Sequence, residues 1–132
     1  MTNIVIDTNI LVSAALSPLG NPAKIIALIS NKAEMQVFYS AEILIEYQRV
    51  LSYERLNIDA EIQALIINSL REFGMMIEPT ASTIPMPDET DRIFYDVARA
   101  SGATLVTGNI KHYPTEPFII TPAEFLRKMA RK

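Results

Sequence analysis

Apolar positions along the chain follow two alternating rhythms. Asn3-Ile4-Val5-Ile6 is a short unbroken run followed at once by Asp7, and such β-branched runs fit a strand covered on both faces. After it, Ile10, Leu11, Ala14 and Ala15 recur at helical spacing until Ser17-Pro18-Leu19-Gly20 breaks the pattern. Asn21 followed by Pro22 reads as an N-cap and first helical residue, opening a second helix carried by Ile25, Ile26, Leu28 and Ile29. Met35–Tyr39 is the next strand, and Ser40 caps a helix running through Leu51. Asp59 is expected to cap another, with Ile62, Leu65, Ile66, Leu70 and Phe73 on its apolar face and Gly74 as its stop.

The second half repeats the alternation. Met75–Pro79 is a third strand, and residues 79–88, with prolines at 79, 85 and 87, form the one long loop. A helix from about Glu89 to Ser101 ends at Gly102. Thr104–Thr107 and Phe118–Ile120 are the fourth and fifth strands, and Pro122 opens a closing helix through Lys128. Short apolar strands alternating with helices predict an α/β fold of βαβ units: a three-layer domain over residues 1–132, with a parallel sheet and right-handed crossovers.

Composition narrows the class. The chain has 132 residues, 49% hydrophobic and 20% charged, enough for one domain with a sizeable core. Zero cysteines exclude a disulfide scaffold and a thiolate zinc site. The acid at position 7 speaks against a signal peptide, and no run of about 18 apolar residues offers a membrane span; a cytoplasmic protein is expected. The net charge of -3 is wrong for a passive nucleic-acid coat. An acidic chain still acts on a polyanion if its acids gather around a divalent cation, so their positions decide.

In open parallel sheets, ligands bind beyond the carboxyl ends of the strands. Asp7 ends the first strand and Asn109 follows the fourth, so both belong to that edge; Asp7 also suits the N-cap of the next helix. On a helical wheel of about 100° per residue, Glu46 falls at the border of the face formed by Ile43, Tyr47 and Leu51, with Glu42 and Arg49 further toward solvent. In the helix from Glu89, Asp91 lies at one border of the apolar face, in the first turn where a carboxylate gains from the helix dipole. Asp96 lies at the opposite border and is read as an outer-face partner of Arg92 or Arg99. Asp7, Asp91 and Asn109 thus map to one edge, which Glu46 reaches if the second strand neighbours the first. Carboxylates crowded together repel unless a hard cation such as Mg²⁺ or Mn²⁺ sits among them, and that cation attracts phosphate.

Ile4-Val5-Ile6-Asp7-Thr8-Asn9, Glu46 in a mid-chain helix, Asp91 opening a helix and Leu105-Val106-Thr107-Gly108-Asn109 resemble, in that order, the PIN-domain ribonucleases. The likeness is strongest to the toxin-type, VapC-like members of bacterial toxin–antitoxin pairs. The tail Ile120-Thr121-Pro122-Ala123-Glu124-Phe125 extends it over nearly the whole chain. The resemblance implies a five-stranded parallel sheet with the first strand central and a metal site built by Asp7, Glu46 and Asp91. It implies Mg²⁺- or Mn²⁺-dependent cleavage of single-stranded RNA by a metal-activated water, yielding 5′-phosphates, in a homodimer restrained by an antitoxin. Asn109 departs from it, because most members carry a fourth Asp there. The amide removes one negative charge, so a second ion should bind more weakly while a one-metal site survives.

Thr107 is placed to orient Asn109 or a metal-bound water. Lys111 and His112 are the best-placed phosphate contacts, with Arg127-Lys128 and Arg131-Lys132 more remote. Rival chemistries fail on inventory. The lone histidine has no G-x-S-x-G partner, and glycines at 20, 74, 102 and 108 form neither a P-loop nor a dinucleotide fingerprint. Asn at position 9 removes the second acid that an aspartyl-phosphate phosphatase needs, and a phospho-receiver's acid pair is missing. The alternative from another class is a non-catalytic module that binds RNA or protein through a weakened metal site. The apolar helix faces between Ile43 and Leu70 offer core packing or a partner surface.

Overall fold

Strand β1 (Thr2–Ile6) is the middle strand of the sheet, and its apolar half, Ile4, Val5 and Ile6, is fully buried. The computed structural model describes residues 2–131. Around β1 stand β2 (Met35–Tyr39), β3 (Met75–Met76), β4 (Thr104–Val106) and β5 (Ile119–Ile120), all parallel, in the order β3-β2-β1-β4-β5. Ile4 pairs with Val37 on one side and Thr104 on the other, and Ile6 pairs with Val106. The five strands and the central place of the first agree with the expectation from sequence. Strand order reverses at β1, which puts the topological switch point, where such sheets bind ligands, between β1 and β4.

Among the described residues six helices cover the sheet: α1 (Thr8–Leu16), α2 (Asn21–Ala27), α3 (Ala41–Leu51), α4 (Ala60–Phe73), α5 (Arg92–Ser101) and α6 (Pro122–Ala130). Helices α1 to α4 belong to the outward crossovers from β1 to β3, and α5 to the return crossover to β4. Right-handed connections send these two groups to opposite faces, making a three-layer α/β fold. Helix α3 turns Ile43, Tyr47 and Leu51 inward. The Tyr47 ring meets Phe94 of α5 at 6.1 Å between centroids. Among the described residues no single helix is long and apolar enough to cross a membrane.

Several boundaries differ from the expected ones for local reasons. Gly20, not Asn21, holds the N-cap position of α2, and its last turn tightens, with Leu28 and Ile29 donating only three residues back, so the helix stops at Ala27. Asp59 occupies the N-cap position of α4 without a side-chain hydrogen bond. Helix α4 buries Ile66, Ile67 and Leu70, while Leu65 stands 67% exposed and Ile62 is exposed at its edge. Gly74 ends the helix by lack of space: a Cβ there would lie 2.5 Å from the Leu70 carbonyl and 2.7 Å from the Tyr39 ring. Strand β3 is only two residues long, and the chain from residue 77 to 88 is loop. Glu89–Asp91 is a separate 3₁₀ turn, so α5 starts at Arg92, and Gly102 closes it in the left-handed conformation that favours glycine.

Candidate metal centre at the carboxyl edge

The register of β1 and β4 brings the first acid to the switch point. Ile6 pairs with Val106, so Asp7 and Thr107 leave the sheet side by side, and the Asp7 amide donates to the Val106 carbonyl at 3.0 Å. Asp7 caps α1, accepting from the Asn9 amide at 3.4 Å, and is only 6% exposed. Its Oδ2 accepts two further bonds, from the Thr107 hydroxyl and from the Tyr113 hydroxyl, each at 2.8 Å. Burial, reinforced by the charges of Asp7 and Asp91, pushes the Tyr113 phenol far above its ordinary range, so it stays protonated and donates. The N-cap role and the buried-acid role thus coexist in one side chain.

Tyr47 donates its hydroxyl to the carbonyl of Ile6, which pins α3 against the end of β1. Glu46, the residue before it, is thereby carried to the rim of the same cleft. There it is ion-paired with Arg49, one turn on, and its side chain is 29% exposed. Across the cleft, the 3₁₀ turn sets Asp88 and Asp91 three residues apart, a spacing that eclipses side chains on one side of such a turn. Asp88 is held by Thr90, whose amide and hydroxyl donate to it at 3.0 and 2.7 Å and lower its pKa.

Asp91 is partly buried beside two other acids. Burial, then the neighbouring charges of Asp7 and Asp88, raise its carboxyl from an ordinary 3.8 to about 6, against a lowering by His112. His112 Nδ1 stands 3.4 Å from Asp91 Oδ2, too far for a well-formed bond, and that buried oxygen has no hydrogen-bond partner among the described residues. Asp88, Asp91 and His112 each offer one ligand atom, all within 4.8 Å of one another.

One open cavity of about 460 Å³ gathers these groups: Asp7, Glu46, Asp88, Asp91, Asn109 and His112 all line it, together with Arg49, Tyr53 and Arg55. The four residues singled out from sequence therefore share one cleft. Within it, the tight group of ligand atoms is that of Asp88, Asp91 and His112, with Asp7 and Glu46 on the surrounding walls. Thr107 does not orient the Asn109 side chain. Its hydroxyl oxygen accepts from the Asn109 backbone amide at 3.0 Å and its hydroxyl donates to Asp7, while Asn109 is exposed.

Asp96 departs from its expected place on the outer face. It is 6% exposed beneath the long loop, where its Oδ2 accepts from the Ser82 amide at 3.0 Å, and it lies away from the cleft. Arg92 turns to the same loop, donating to the Ser82 carbonyl and hydroxyl and to the Ile84 carbonyl, besides its pair with Glu89. Lys111 lines a neighbouring depression with His112, while Arg127, Lys128 and Arg131 are exposed outside the cleft. Lys132 lies outside the described residues.

Sequence reasoning missed Asp88, Tyr113, Arg55 and the place of Arg49 in the cleft wall. Asp88 left a signal, an acid three residues before Asp91; Tyr113 left none that local pattern reveals.

A model of the PIN domain matches residues 3–111. The chain belongs to the PIN domain family. It is 31% identical over 109 residues, 80% of this chain and 70% of the other, to the uncharacterized protein MJ1680 of Methanocaldococcus jannaschii. In fold it is similar to PAE2754 from Pyrobaculum aerophilum, with a TM-score of 0.63 at 15% identity over 99% of this chain and 91% of that one. It is also similar to a chain of VapBC2 from Rickettsia felis, solved bound to a DNA fragment from their promoter, with a TM-score of 0.58 at 20% identity over 91% and 97%. At these identities the solved structures speak to fold alone, and this PIN domain shares it from β1 to α6.

The donor set suits a divalent cation. Carboxylate oxygens are the ligands that Mg²⁺ and Mn²⁺ favour, and Asp7, Glu46, Asp88 and Asp91 bring them to this cleft. The unpartnered, buried Asp91 oxygen beside Asp7 and Asp88 is a charge arrangement that such an ion relieves.

Proposed function

We propose that this PIN domain is a metal-dependent endoribonuclease that hydrolyses phosphodiester bonds of single-stranded RNA. The observation that carries the reading is convergence: Asp7, Glu46, Asp91 and Asn109, from four distant stretches of chain, line one cleft at the switch point around an orphaned carboxylate oxygen. Asp7, Glu46 and Asp91 would hold the ion, with Asp88 and His112 grouped about Asp91 as further donors. When bound there, a Mg²⁺ or Mn²⁺ ion would supply an activated water at neutral pH and would polarise the phosphate.

The chain's own residues prepare the site. Thr107 and Tyr113 fix the orientation of Asp7, as hydroxyl donors around a ligand carboxylate do. Glu46 is paired with Arg49, so its use as a ligand would free the Arg49 guanidinium for the substrate. Asn109 contributes an amide oxygen without charge, consistent with one resident ion. Membership of the family and the fold shared with a VapBC2 chain support a toxin role, with an antitoxin partner, a homodimeric assembly and a cytoplasmic site of action.

The test is cleavage of a mixed single-stranded RNA pool. Cleavage with Mn²⁺ that stops on chelation and is absent from folded Asp7→Ala supports the enzyme. RNA retention without cleavage under the same conditions replaces it with a non-catalytic binding module.

A further inference from the structure

Arg49, in the last turn of α3, and Arg55, in the 3₁₀ turn Glu54–Leu56, both set their guanidinium groups over the ring of Tyr53, at 5.5 and 5.2 Å from its centroid. Tyr53 also accepts a hydrogen bond from Arg49 through its hydroxyl. The ring is half-buried, the arginines are exposed, and all three line the cleft that holds Asp7 and Asp91. Arg49 has Glu46 as partner, whereas Arg55 has no ion-pair partner among the described residues.

Charge in this cleft is graded: Asp7 is buried, Glu46 stands at the rim paired with Arg49, and Arg55 stands exposed beside the same ring, in a chain of net charge -3. Stacking on an aromatic ring pre-orders a guanidinium for an incoming anion, and Arg55, which has no acid of its own among the described residues, is the freer of the two to take one. A ligand that satisfies the metal centre and these arginines together carries several phosphates along a flexible chain. An unpaired strand meets that description and can splay into a cleft of about 460 Å³, whereas a duplex presents its phosphates on a rigid cylinder.

We propose that Arg49, Tyr53 and Arg55 form the lip that grips the sugar–phosphate backbone of single-stranded RNA next to the metal centre. Arg55 and Arg49 pair with phosphates flanking the scissile one, and Tyr53 is the pillar that spaces them. This rests on the nuclease reading above, and it moves the main phosphate grip away from Lys111 and the C-terminal basic residues.

The experiment uses the full chain and a short labelled single-stranded oligoribonucleotide. Binding is read by fluorescence anisotropy on an Asp7→Asn background with Ca²⁺, and cleavage is read on the otherwise native chain with Mn²⁺. Arg55→Ala is expected to weaken binding about tenfold and to lower the slope of log affinity against log salt by about 0.7, one single-strand phosphate contact. KM should rise with kcat held within about twofold, the pattern of lost uniform binding. Arg55→Lys should restore most of the salt slope, and Tyr53→Leu should weaken binding more than Tyr53→Phe, which keeps the ring. Unchanged affinity and slope in Arg55→Ala and Tyr53→Leu, while the native chain binds and cleaves RNA, would overturn the lip and leave the nuclease standing. If the native chain neither binds nor cleaves RNA, both readings fall.

Discussion

Asp7 and Glu46 face one cleft but are held in opposite ways. Asp7 is buried on the sheet edge, with two hydroxyls and a backbone amide donating to it. Glu46 sits on the last exposed wall of α3 and is held only by Arg49, a neighbour on the same helix turn. The first corner is preorganised by contacts spanning most of the chain, from position 7 to position 113. The second is local and exchangeable, because an exposed ion pair three residues apart is worth little. A fixed acid and a movable one suit a site that must hold an ion firmly while admitting a long substrate.

The largest expected effect is on cleavage. Asp7→Ala should lower RNA cleavage by about a thousandfold or more, the loss of several kcal/mol of transition-state stabilisation. Glu46→Ala should cost about ten- to a hundredfold, since its place is already shared. Single-turnover rates with saturating Mn²⁺ decide this, and equal losses would erase the distinction between the corners.

Stability should follow the same divide. Thr107→Val and Tyr113→Phe each remove a donor to a buried carboxylate and should destabilise by about 1.5–3 kcal/mol. Arg49→Met breaks the exposed pair with Glu46 and the exposed contacts with Tyr53, and should change stability by less than about 1 kcal/mol. Urea denaturation of the metal-free proteins measures all three, and a larger loss in Arg49→Met would reverse the comparison.

A smaller effect depends on pH. Asp91 has its carboxyl raised from 3.8 to about 6 in the folded chain, so between those values the folded state binds more protons than the unfolded one. Its contribution to stability is complete below the unfolded value and is lost as pH rises through about 6. With chelator present, native protein should lose stability over that interval, and Asp91→Asn should flatten the decline; parallel curves would show that Asp91 is not crowded by its neighbours.

What could be read from the sequence was whatever a short stretch decides by itself. The apolar run Ile4–Ile6 followed by Asp7, the Ser40 cap whose hydroxyl accepts from the Ile43 amide, and the border position of Glu46 are of this kind. What escaped depends on closure over long separations. Tyr113 reaches Asp7 from a loop beyond β4, and no periodicity marks a loop residue as buried. Asp96 is covered because residues 80–84 fold back over α5, held by Ser82 and Arg92. Asp88 was hidden by a boundary, since a 3₁₀ turn rather than the first turn of α5 sets its distance from Asp91. Leu65 shows the converse, an apolar residue at helical spacing that the fold leaves in solvent.

Mn²⁺ binding followed by electron paramagnetic resonance tests the metal centre most directly, with native protein, Asp7→Asn, Asp91→Asn and the off-site control Asp96→Asn side by side. The expected result is saturable binding of Mn²⁺ to the native chain and to Asp96→Asn, weakened about a hundredfold in the other two. Equal binding by all four proteins, or none by the native chain, would contradict it.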